Sequence, residues 1–150
     1  MERFARLQDI AEGVADRIRE IGDFKLVTYA QATNGEQVWK MLQAMTNLPV
    51  AIVAIGTADF DEEALKRQIR VLVFVVGTFQ RGTAAEARGV WQLVESVTDR
   101  FLPEMTPDGL VRPEVCGIEF VPASWSPISS PGTVSACSLS LEGIEFMNVE

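Results

Sequence analysis

Phe4, Leu7, Ile10, Val14, Ile18 and Ile21 recur at spacings of three and four, while Glu2, Arg6, Asp9, Glu12, Asp16 and Glu20 lie mostly off that stripe. One apolar face per turn predicts an amphipathic helix, and Gly22 supplies its C-terminal stop. Asp23 to Tyr29 alternates and reads as a strand, with Phe24 and Leu26 on one face. Asn34-Gly35 marks a turn. Val38, Met41, Leu42 and Met45 then form a second, shorter helical stripe, which Asn47 and Pro49 close.

PVAIVAI at residues 49–55 and IRVLVFVVGTF at residues 69–79 are rich in β-branched side chains and have almost no polar interruption. Such runs predict strands covered on both faces, at the centre of a sheet. The acidic connector Thr57 to Glu63 is long enough to join them as an antiparallel pair through a long hairpin loop. Beyond Gly82 and a cap at Thr83, a third helix follows, with Ala87, Val90, Trp91, Val94, Val97 and Phe101 on one face and Pro103 at its end.

Leu110 to Phe120 leads into a strand in which Cys116, Ile118 and Phe120 share a face, and Val134 to Phe146 is the last strand. There Cys137, Leu139 and Leu141 alternate with Ser138, Ser140 and Glu142, but Ile144 and Phe146 fall in the opposite phase. A bulge at Gly143 would bring them back into register. Between the two strands lies VPASWSPISSPGT, residues 121–133, whose three prolines cannot join a ladder and which reads as an extended arm. The order is α-β-α-β-β-α-β-β. It predicts a single α+β domain spanning residues 1–150, with about three helices on a mostly antiparallel or mixed sheet of four to five strands.

The chain has 150 residues, 47% hydrophobic and 23% charged, which suits a globular domain able to bury roughly 70% of its unfolded surface. Its longest apolar runs are strand-sized and predict no membrane span. The amphipathic, acid-bearing amino end does not resemble a signal peptide, so the expected location is cytoplasmic. In that compartment Cys116 and Cys137, the two cysteines, are expected to be thiols rather than a bridge.

Charge and chemistry narrow the function. Thirteen Lys+Arg against 21 Asp+Glu leave 13 − 21 = −8, the wrong sign for gripping phosphate backbones, so no stable nucleic-acid binding is expected. The sequence has no histidine, which removes the commonest general base and metal ligand. No glycine pattern suits a nucleotide phosphate. These features predict a protein that is not an enzyme and needs no cofactor or metal.

Weaker candidates remain. Asp59, Asp61, Glu62 and Glu63 form an acidic cluster whose oxygens could hold Mg²⁺ or Ca²⁺, although a solvated hairpin tip explains it better because no calcium-loop spacing is present. Glu95 and Asp99 sit four apart on the third helix, as an acid/base pair or, more simply, a solvated face. Tryptophan is enriched where surfaces desolvate on binding. Trp91 falls on an apolar stripe and is expected in the core, while Trp39 borders the second stripe and is open to either role. Trp125, with Pro127 close by, has only Ser124, Ser126 and Pro127 around it, so it either folds back on its own domain or anchors a partner.

The leading helix, NLPVAIVAIG at residues 47–56, RQIRVLVFVVGTF at 67–79, GTAAEARGVWQLVESVTDRFL at 82–102, EVCGIEF at 114–120 and the long final strand cover nearly the whole chain. In their order and hydrophobic texture they resemble the tail-terminator proteins of long-tailed phages, particularly the branch of Mu-like phages and related prophages. The resemblance implies an α+β subunit, six copies of which close into a ring. That ring caps the tail tube, stops its polymerisation and offers its other face to a head-completion protein, in the host cytoplasm during assembly and then in the virion tail. An acidic lumen would let DNA pass without sticking. The family brings no catalytic residues. Two other readings stand beside it: another head-tail joining subunit, or a bacterial module that binds a small ligand or peptide.

Overall fold

The computed structural model describes residues 4–29, 49–77, 84–127 and 136–147. Helix α1, Leu7–Arg19, buries Ile10, Ala11, Val14, Ala15 and Ile18, and Gly22, at φ 79°, turns the chain away from its end. Strand β1, Leu26–Tyr29, runs parallel to β2, Val50–Asp61, and buries Val27 rather than Leu26, while Phe24, ahead of the strand, packs half-buried against the core. β2 turns back into β3, Lys66–Val76, as an antiparallel pair. Helix α2, Ala84–Asp99, follows, and then β4, Glu104–Thr106, β5, Gly109–Val111, β6, Glu114–Val115, β7, Ile118–Pro127, and β8, Ala136–Phe146.

The main sheet has the order β1-β2-β3-β8-β7-β6, and β4-β5 form a two-stranded sheet of their own. α1 packs on β1 and β2 and also touches β6 at the far edge, so the sheet curls around that helix. α2 lies over β3 and β8. Val90, Val94, Val97 and Phe101 join Val71, Val73, Val75, Leu139 and Leu141 in the core beneath the helices. Burial of such side chains contributes about 1.5–3 kcal/mol each. On the other face Val50, Ile52, Phe74 and Val76 are buried as well. β2 and β3 are therefore covered on both sides over Val50–Ala54 and Val73–Val76, while the centre of the sheet is β3 and β8 rather than the expected β2 and β3.

The expected fold class needs correction. The described residues hold two helices and a six-stranded mixed sheet, so the protein is mostly β rather than an α+β domain with three helices on four or five strands. The helix expected from Val38 to Met45 and the turn at Asn34-Gly35 lie outside the described residues. The strand content rises because pairing carries strands past their apolar stretches. β2 continues through the polar Thr57 to Asp61, so the connector is a four-residue turn at residues 62–65 rather than a long loop.

Likewise, residues 121–127 of the expected arm are strand. Pro122 and Pro127 sit opposite Leu141 and Cys137 on β7, whose other edge pairs with no described strand from Phe120 onward, a place where a missing N–H costs no ladder bond. Residues 128–133 lie outside the described part. The stretch Leu110 to Phe120, expected to lead into a strand with Cys116, Ile118 and Phe120 on one face, is broken at Cys116-Gly117, a tight turn with φ 53° and 78° between β6 and β7. Cys116 is thus exposed and does not share a face with Ile118 and Phe120.

β8 has no bulge at Gly143. Its ladder with β3 is unbroken from Lys66↔Phe146 to Val76↔Ala136. Gly143 serves close approach instead, since a Cβ there would come 2.8 Å from Ile118 and from the Phe120 ring. Ile144 and Phe146 consequently face away from the helices and are exposed. The bulges lie elsewhere, at Gly56 in β2 and at Ala123 in β7.

Candidate functional site

The bulge at Ala123 decides where Trp125 points. Before it, Phe120 and Pro122 stand opposite Gly143 and Leu141, on the helix face; after it, Trp125 takes that face opposite Leu139. Strict alternation would have given the position to Ser124 and turned Trp125 to the other side. Ser124 and Ser140 instead meet on the far face, hydroxyl to hydroxyl at 3.0 Å.

α2 meets Trp125 from the opposite side. With Val90, Val94 and Val97 turned into the core, Trp91, about 100° further round the helix than Val90, comes out at the helix flank. The expectation that Trp91 is core is therefore corrected: its residue is 51% exposed, and Trp125 is 54% exposed. The two tryptophans, Val94 and Thr98 line a largely apolar groove of about 410 Å³, with Glu95 and Asp99 on it as well. The helix thus turns both carboxylates to the same opening. The Thr98 hydroxyl donates to the Val94 carbonyl at 2.7 Å, so it is engaged within its own helix. Aromatic faces beside carboxylates suit an apolar side chain or a cation. Pro127 ends β7 opposite Cys137, and Trp39 lies outside the described residues.

The acidic cluster is spread along a hairpin. Asp59 stands opposite Gln68 and Asp61 opposite Lys66, while the Asp61 carboxylate accepts the Ala64 N–H at 3.2 Å and caps the turn. All four acids are exposed. Among the described residues no three groups of metal-binding type gather into a ligand set.

Sequence reading missed a second cluster. Arg67 and Glu145, 5% and 8% exposed, stand opposite each other on β3 and β8 and pair at 2.5 Å. Glu145 also accepts the Ala5 N–H at 2.7 Å, and Arg67 donates to the Ala5 carbonyl at 2.8 Å, so the pair holds the chain leading into α1. The guanidinium lies 4.9 Å over the Phe4 ring and 5.7 Å over that of Phe60. The signal was present in the sequence. Arg67 is in phase with Ile69, Val71 and Val73, and Glu145 with Leu139 and Leu141, each a charge at a core position.

Both thiols are free. Burial pushes the Cys137 thiol up, and the Cys116 thiol is raised by partial burial first and then by Asp9 and Glu145. Neither is an activated nucleophile. No family model matches the chain, and no curated protein is similar to it.

Proposed function

We propose that the chain is an assembly subunit that acts by docking on copies of itself, and that its role is that of a phage tail terminator. In this reading six copies close into a ring, which caps the tail tube protein, halts its growth and receives a head-completion protein. The observation that supports it is the groove between α2 and β7. Two half-exposed tryptophans flank an apolar opening outside the core, and indole rings left half in water are what a surface that desolvates on binding presents.

The test is the oligomeric state of Trp125→Ala. Truncating a tryptophan that anchors an interface costs about 2 kcal/mol or more, over tenfold in affinity per contact. The wild type should run near 6 × 16.5 = 99 kDa and appear as annular particles by electron microscopy, and the variant should shift toward the 16.5 kDa subunit while keeping its circular dichroism. A wild type that stays monomeric at every concentration overturns the proposal. The groove would then belong to a module that binds a small ligand or peptide.

A further inference from the structure

β4 and β5 pair Glu104 with Val111, Met105 with Leu110 and Thr106 with Gly109, and among the described residues their strands join no other sheet. A lone two-stranded hairpin is marginal in water. This one nevertheless holds Met105 at 78% exposure, with Leu110 and Val111 also open to solvent. Met105 and Leu110 stand opposite each other and so share a face. Arg112, at the end of the hairpin, is exposed and forms no ion pair among the described residues.

The groove of Trp91 and Trp125 complements the side of the hairpin that carries Met105, Leu110 and Arg112; the hairpin's own carboxylates lie elsewhere, Glu104 opposite Val111 and Asp108 in the turn. The groove walls are apolar, two carboxylates lie on the groove, and no hairpin residue of the same chain lines it. Copies carrying −8 each repel on average, and a cation of one set against anions of the other offsets that repulsion at the contact.

We infer that the β4-β5 hairpin of one copy docks in the Trp91–Trp125 groove of the next, Met105 and Leu110 against the indoles and Arg112 against Glu95 and Asp99. The inference rests on the self-assembly reading above and names the two surfaces that reading needs. Because the surfaces differ, the contact is head-to-tail, the kind that closes into a ring when its rotation allows.

Two measurements on the full chain test it. Light scattering coupled to size exclusion compares the wild type with Arg112→Glu, with Glu95→Lys/Asp99→Lys, and with all three changes together. Each charge reversal should weaken assembly by about tenfold or more, and the combined variant should regain it. Separately, Leu110→Cys and Glu95→Cys chains, each also carrying Cys116→Ser, should form a disulfide-linked dimer when mixed under mild oxidation, and neither alone. This second measurement decides the matter should a reversal variant fail to fold. A wild-type oligomer with no cross-link in the mixture overturns the hairpin contact and leaves self-assembly standing, whereas a wild type that is monomeric throughout overturns both.

Discussion

Arg67 and Glu145 show how one residue pair can tie the start of the chain to its last strand. Neither charge has much water to solvate it, so each depends on the other and on the two backbone groups of Ala5. Removing one partner of a buried pair leaves an uncompensated charge and costs about 3–5 kcal/mol, whereas replacing both with apolar groups of similar size is often neutral. Glu145→Leu should therefore lower the urea unfolding free energy by about 3–5 kcal/mol, and Arg67→Met/Glu145→Leu should recover most of the loss. If the double variant is no better than the single, the pair is not the element that holds Ala5. A second prediction concerns Gly143. A methyl there meets Ile118 and the Phe120 ring at 2.8 Å, so Gly143→Ala should cost about 1–3 kcal/mol of overpacking in the same assay, despite the better strand propensity of alanine.

Among the elements, β7 carries a long stretch of open edge. From Phe120 to Pro127 one of its edges pairs with β8 and the other with no described strand, and an unpaired edge is a template for another chain. Pro122 and Pro127 remove two donors from it. Pro122→Val/Pro127→Thr should raise light scattering and thioflavin binding on mild heating while leaving the native circular dichroism unchanged, and equal aggregation in both proteins would sink that protective role. The same strand shows why alternation alone misplaces side chains. The phase break at Gly143 pointed to a bulge, but the extra residue is Ala123 on the neighbouring strand, and it is this bulge that brings Trp125 to α2.

At the scale of the molecule the net charge of −8 has a consequence that does not depend on any one contact. Phosphate backbones are repelled over about 8 Å at physiological salt, the screening length there. The protein should give no shift of duplex DNA in gel titrations to micromolar concentration at that salt. Binding at such concentrations would count against the passage of DNA through an acidic ring and against the exclusion of nucleic-acid partners.

Local pattern settles whatever one stripe or one run can express. The α1 stripe, the α2 stripe through Val90, Val94 and Val97, and the two apolar runs of β2 and β3 appear in the structure at or near their expected places, because burial acts on each side chain where it stands. The extent of the strands was not legible, since Asp59 and Asp61 or Ser124 and Ser126 are held in ladders by partners that only pairing supplies. Trp91 looked like core because a helical period gives a stripe but not its width, and the stripe that α2 buries runs through Val90, Val94 and Val97. Glu145 lies among apolar neighbours because Arg67 and Ala5, 78 and 140 residues away in sequence, meet it there. The groove itself depends on a helix flank, a strand edge and one inserted alanine coming together. No segment of the chain contains that arrangement, and tertiary packing alone produces it.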